Sequence, residues 1–148
     1  MRVQEIMTPD PACCTPDRTA QEVATLMKDN DCGSIPVVES ATSNRLIGTV
    51  TDRDLTIRGL AAGLGPETAI RELMTARPVT CVPDDEVENL RQVMIEQQVR
   101  RVPVVDVNGQ LVGIVAQADI ARNDGAASDR EVGHIVEAIS EPQRDLPT

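Results

Sequence analysis

No phenylalanine, tryptophan or tyrosine occurs anywhere in the 148 residues. A core must therefore be built from Val, Ile, Leu, Met and Ala, and a planar ligand can lie only against aliphatic side chains or proline. The aromatic platform on which single-stranded nucleic acids stack is missing as well. Histidine occurs once, as His134, and the four cysteines (Cys13, Cys14, Cys32, Cys81) form no CxxC pair. That set encodes no zinc site and leaves no histidine to act as a catalytic base before residue 134. Basic residues are in deficit, 14 against 24 acidic, for a net charge of −10. Such a field repels phosphate backbones and argues against nucleic-acid binding, leaving solubility as its use. No apolar run approaches the roughly 18 residues of a membrane span, and the first residues lack a signal-peptide core. The expected setting is the cytoplasm, with free thiols.

What is present is a duplication. Met7-Thr8 returns as Met74-Thr75, Pro16-Asp17 as Pro83-Asp84, and Pro36-Val37-Val38 as Pro103-Val104-Val105, a spacing of 67 (103 − 36). Beyond the proline strand the spacing falls to 65: Gly48 matches Gly113, and Asp54 matches Asp119 (119 − 54). The second copy is thus two residues shorter between its paired strands. There it carries Asn108-Gly109, the preferred pair of a two-residue hairpin.

Each copy has the same order of elements. Thr19-x-x-Glu22 is a capping box, followed by an apolar stripe at Ala20, Val23, Ala24 and Met27. Val87, Leu90 and Met94 repeat the stripe. Short strands are predicted over 35–38 and 46–50, and again over 102–105 and 111–115. Their nearly continuous apolar composition predicts cover on both faces. Second helices start near Asp52 and Gln117. The organisation predicted is a first repeat over 1–60, a Gly/Pro-punctuated linker over 61–69 and a second repeat over 70–122. A C-terminal helix and tail follow over 123–148, with Val132, Ile135, Val136 and Ile139 on one helix face. Two such units, related by a pseudo-twofold axis, are expected to close a core together.

Met-Thr, proline, capped helix, h-P-V-h and G-h-h-x-x-x-D together resemble a CBS-domain pair, or Bateman module, over about Val3 to Ile120. The stretches 51–64 and 99–104 resemble more narrowly the stand-alone two-CBS proteins of the actinobacterial hypoxic-response type. The resemblance implies an α/β (α+β) fold of two βαββα-type repeats plus the C-terminal helix, paired into a disk-like homodimer. It implies a regulatory role without catalysis: sensing AMP, ADP, ATP, S-adenosylmethionine or a dinucleotide in the cleft between repeats, in connection with stress. No effector domain is recognisable, so the signal would pass to a separate protein.

The family's diagnostic motif falls on Gly48-Thr49-Val50-Thr51-Asp52-Arg53-Asp54. A hydroxyl and free amides at a strand-to-helix junction can hold an anion, and a carboxylate one turn on can accept from two ribose hydroxyls. Thr51 and Asp54 are the residues in question, with Arg53 available for a charge-assisted bond to phosphate. Thr-x-x-Asp is equally a capping box, and both roles are compatible. By resemblance, Ile35, Pro36, Val102 and Pro103 would wall the adenine, a role that competes with plain core packing. Arg100 and Arg101 would reach phosphate, or simply be solvated. Copy two has Ala116 where the hydroxyl belongs, so Asp119 marks a weaker or empty second site. Arg58, four residues after Asp54, can compete for that carboxylate through an ion pair. The alternative function is a scaffolding dimer whose nucleotide site has decayed.

Overall fold

A computed structural model describes residues 1–123. The helix expected around Val132–Ile139, together with His134, lies outside the described residues. Among the described residues the elements are β1 (Thr8–Pro9), α1 (Ala20–Asn30), β2 (Ser34–Val38), β3 (Leu46–Thr51), α2 (Asp52–Asp54), β4 (Thr75–Ala76), α3 (Val87–Gln97), β5 (Arg101–Val105), β6 (Leu111–Ala116) and α4 (Gln117–Asn123). Single 3-10 turns occupy Val3–Glu5 and Ile70–Glu72, again 67 apart (70 − 3). No helix among these residues is long and apolar enough to cross a membrane.

The chain forms two compact units. One comprises Pro11–Pro78 with Asn108–Leu111; we call it the Cys14 unit. The other, the Cys81 unit, comprises Met1–Asp10, Val79–Val107 and, among the described residues, 112–123. Each holds a three-stranded sheet, β2-β3-β4 and β1-β6-β5 respectively. The strand opening each copy therefore sits in the sheet of the other: Thr8 pairs with Ile114 and Thr75 with Thr49.

Local chemistry explains the elements. Thr19 caps α1, its Oγ1 accepting from the Glu22 amide while Glu22 accepts from the Thr19 amide. Asp31 and Gln98 end α1 and α3 in the left-handed region at φ 50° and 56°. Among the described residues the other two non-glycine residues with positive φ are Asp10 and Arg77. Both pairs obey the 67-residue repeat (98 − 31, 77 − 10), so the duplication extends to backbone conformation.

Apolar burial is likewise split. Val23, Met27, Ile35, Val37, Val50, Ile70 and Leu73 build the core of the Cys14 unit. Val3, Leu90, Met94, Val102, Val104, Val115 and Ile120 build that of the Cys81 unit. Each fully buried aliphatic side chain contributes about 1.5–3 kcal/mol.

Two expectations need correcting. Only β2 and β5 are buried along most of their length; β3 and β6 alternate between buried and half-buried positions, as strands with one covered face do. Nor is Asn108-Gly109 a two-residue hairpin, because β5 ends at Val105 and β6 begins at Leu111. Gly109 takes φ +80°, and the tip bonds elsewhere. Leu46 N donates to Gly109 O at 3.0 Å and Leu111 N to Asn44 O at 2.8 Å. These bonds tie the tip to the rest of the Cys14 unit.

Candidate functional site

Gly48 opens the motif for a packing reason. A Cβ there would stand 2.8 Å from Thr75 O and 2.9 Å from Met74 Sδ. At Gly113 a Cβ would meet Met7 Sδ at 2.6 Å and Thr8 O at 3.1 Å. In both units the glycine is what lets the exchanged Met-Thr segment lie against the strand, so Met-Thr and Gly recur together.

Beyond Gly48, β3 ends at Thr51 in extended backbone and α2 begins. Thr51 Oγ1 accepts from Asp54 N at 3.1 Å, and Thr51 N donates to Asp54 Oδ2 at 2.9 Å. The capping role is therefore realised. Asp52 N donates to Gly33 O at 2.9 Å, tying the helix start to the residue before β2. A Cβ on Gly33 would stand 2.9 Å from Asp52 Oδ2, the end of an exposed side chain that can turn away; copy two has Arg100 at this position.

Asp54 keeps a 15% exposed side chain. Its second oxygen, Oδ1, faces Arg58 Nε at 3.7 Å, an ion pair too long for a hydrogen bond. Arg58 instead donates through Nη1 to Met74 O at 3.0 Å and Leu73 O at 3.4 Å. Arg53 is exposed at the helix start, and its amide donates to Asp52 Oδ1 at 2.8 Å. After Asp54 the helix widens to π geometry over Leu55–Leu60, with Ala61 N donating to Thr56 O and Leu64 N to Gly59 O. Such turns concentrate at functional sites.

The second copy is built alike and filled differently. Ala116 N donates to Asp119 Oδ2 at 2.8 Å, but Arg122 Nη2 donates to Asp119 Oδ1 at 2.7 Å. Both carboxylate oxygens of Asp119 are thus engaged at hydrogen-bond distance. Asp54 has one oxygen so engaged and one with only a long ionic neighbour. Arg122 at i+3 is a partner that sequence reasoning missed, although its spacing was there to find.

The structure sorts the site residues between the units. Thr51, Arg53, Asp54, Ile35 and Pro36 lie in the Cys14 unit; Arg100, Arg101, Val102, Pro103 and Asp119 lie in the Cys81 unit. Ile35, Pro36, Val102 and Pro103 are all buried, with Ile35 and Val102 inside the two cores. Arg100 is exposed and Arg101 half-buried; Arg100 O accepts from Gln117 N at 2.9 Å, the counterpart of Gly33 with Asp52.

Cys14 and Cys81 sit beside the proline strands, bridging to Val37 and Val104. They are 5% and 6% exposed, and burial pushes both thiols up to about 12. They are packing residues. Among the described residues no group of three or more His, Cys, Asp or Glu side chains could hold a metal ion. A cavity of about 620 Å³, not foreseen, opens beside α1 among Cys13, Arg18, Glu22, Leu26, Val38 and Asn44. It lies toward the Val38 end of the β2–β3 pair, whereas Thr51 lies at the Ser34 end.

The CBS domain family matches twice, over residues 3–58 and 70–125. A CBS domain-containing protein of Bacillus subtilis, YhcV, is 40% identical over 138 residues, covering 93% of this chain and 94% of that protein. Hypoxic response protein 1 of Mycobacterium tuberculosis is 36% identical over 140 residues, covering 94% of each. Among solved structures, Hypoxic Response Protein I with two coordinated zinc ions is similar at TM-score 0.75 and 38% identity, covering 82% of this chain and 98% of that one. The CBS domain pair of protein MJ0100, in complex with methylthioadenosine and S-adenosyl-L-methionine, is similar at TM-score 0.76 and 27% identity, covering 85% and 97%.

Proposed function

This chain belongs to the CBS domain family, and from that premise we propose that it is a regulatory module binding an adenosine-based ligand at the Thr51–Asp54 junction. The observation that carries the reading is the unfilled Oδ1 of Asp54, one helical turn from a strand-end hydroxyl. In this reading Asp54 Oδ1 accepts from the ribose diol. Thr51 Oγ1 and the exposed Arg53 guanidinium serve the phosphate or other anionic end, and Ile35 and Pro36 back the base. Arg100, Arg101, Val102 and Pro103, expected by resemblance at an adenosyl site, lie in the Cys81 unit. Asp119, already satisfied by Arg122, is the weaker site. A relative at 27% identity whose structure holds methylthioadenosine and S-adenosylmethionine supports the ligand class.

The module carries no chemistry of its own in this proposal. It would act as a homodimer in the cytoplasm, passing occupancy to a separate effector in a stress response. A scaffolding dimer with a decayed site is the second reading, favoured by Ala116 and by the closed Asp119.

Unfolding in urea with AMP, ADP, ATP, S-adenosylmethionine and NADH tests both. A ligand at about 100 times its Kd that binds only the folded state adds roughly 2.7 kcal/mol. Asp54→Ala should abolish that gain and Asp119→Ala should not. Absence of any gain leaves the scaffold. Analytical ultracentrifugation settles the homodimer independently.

A further inference from the structure

Arg58 links the Asp54 carboxylate directly to the start of the segment that carries β4. Through Nε it faces the open oxygen of Asp54 at 3.7 Å; through Nη1 it holds Met74 O at 3.0 Å and Leu73 O at 3.4 Å. Those carbonyls open the segment that runs through β4 to Pro78, the last residue of the Cys14 unit before the chain enters the Cys81 unit at Val79. The segment packs closely on β3: Thr75 O and Met74 Sδ lie 2.8 and 2.9 Å from where a Gly48 Cβ would stand. Just beyond it Arg77 adopts φ 54°. The second copy has no such tie among the described contacts. There Arg122 spends Nη2 on Asp119 at 2.7 Å, and the residue aligned with Arg58 is Asn123, whose amide bonds Asp119 O at 2.8 Å.

The geometry points to Arg58 as a positioning residue that reports occupancy of Asp54 to the Leu73–Ala76 segment; the ligand half of this rests on the reading above. While Asp54 Oδ1 is open, its charge holds the guanidinium where Nη1 can reach both carbonyls. A ribose diol hydrogen-bonded to Oδ1 displaces Nε, and the guanidinium leaves the carbonyls with it. Ligand therefore loosens the segment that carries the chain out of the unit. Because the ion pair is long and Arg58 is half exposed, the lock is weak enough for a ligand to break.

Hydrogen exchange by mass spectrometry over a peptide containing Leu73–Ala76, in the full chain, tests this in two arms. Without ligand, Arg58→Gln and Asp54→Asn should each speed exchange there by about two- to fivefold, the range of one exposed ion pair. The double variant should add nothing further. Arg58→Lys, which keeps the charge, should fall between Arg58→Gln and wild type. With saturating AMP, wild type should speed exchange in the same peptide and Arg58→Gln should not respond, while binding AMP about two- to fivefold more tightly by calorimetry. Unchanged exchange in Asp54→Asn, additive single effects, or an intact AMP response in Arg58→Gln would each overturn the tie. Failure of AMP to bind wild type would instead remove the ligand-driven release and weaken the binding reading, while the ligand-free arm still decides whether Arg58 couples Asp54 to β4.

Discussion

Gly48 and Gly113 occupy the same motif position, yet alanine should be tolerated very differently at the two. At Gly48 the new methyl meets a backbone carbonyl, Thr75 O, at 2.8 Å, and Met74 Sδ at 2.9 Å. The carbonyl belongs to a strand paired to β3 and cannot yield without breaking that pairing. At Gly113 the closest atom is Met7 Sδ at 2.6 Å, the far end of a flexible side chain, and the carbonyl of Thr8 is at 3.1 Å. Overpacking that must move backbone costs roughly 1–3 kcal/mol. Against it, losing glycine restricts the unfolded chain and returns about 0.4–1 kcal/mol, since neither glycine needs positive φ. Gly48→Ala should therefore destabilise the Cys14 unit by about 1–2 kcal/mol. Gly113→Ala should cost the Cys81 unit less than about 1 kcal/mol, and Met7→Ala should relieve most of it. The chain has no aromatic reporter, so urea unfolding is followed by far-UV circular dichroism together with thiol labelling. Cys14 and Cys81 lie one in each unit, which assigns the loss. Equal effects at the two glycines, or a larger one at Gly113, would refute the argument that the carbonyl rather than the thioether sets the cost.

Three further outcomes follow. Gln98 ends α3 in the left-handed region without glycine's freedom; Gln98→Gly should raise stability by about 0.5 kcal/mol in urea unfolding. In native protein at pH 8, a disulfide reagent should modify Cys14 and Cys81 far more slowly than Cys32, because burial raises the two thiols to about 12; mass spectrometry of the labelled peptides checks it. The Thr19 backbone amide, then Arg18 and the Thr19 hydroxyl, lower the pKa of Glu22 from its ordinary 4.5. A depressed carboxylate stabilises above the unfolded value and loses that contribution as pH falls through the folded one. Wild type should accordingly exceed Glu22→Gln in stability at pH 6, and the gap should close on acidification below 4.5, as urea midpoints across pH will show.

Much of this molecule is legible in its sequence because long elements announce themselves. The capped stripe from Thr19 to Met27 and the proline strands carry period and punctuation over many residues. Thr8–Pro9 and Thr75–Ala76 do not: a two-residue strand has no period, and only the recurrence of Met-Thr hinted at a shared job. Gly48 was visible as part of a ligand motif, while its packing role depended on which segment lay beside it. Asn108-Gly109 marked the turn between β5 and β6 but not its length, because the residues from Asp106 to Gln110 lie outside both strands and the tip also bonds Asn44 and Leu46. At the site, Thr51, Asp54 and the Arg58 pairing were readable from spacing. The closure of Asp119 by Arg122 fits the i,i+3 spacing, but spacing alone does not say which nearby arginine closes on a carboxylate and which, like Arg58, reaches past it. The π turn after Asp54 has no sequence signature we can identify.

The strand exchange also sets a schedule for synthesis. Thr75 needs a partner only 26 residues back at Thr49, whereas Thr8 waits for Ile114, 106 residues ahead. At about 5–20 residues per second, the earliest strand made stays unpaired for roughly 5–20 seconds after it leaves the ribosome's catalytic centre. Throughout that interval the Met7-Thr8 end of one nascent chain is free to join the β6 edge of a neighbour on the same message. A duplicated gene that interleaves its copies in this way gains a chain that cannot be divided between them, and accepts a window in which two chains can be confused for one.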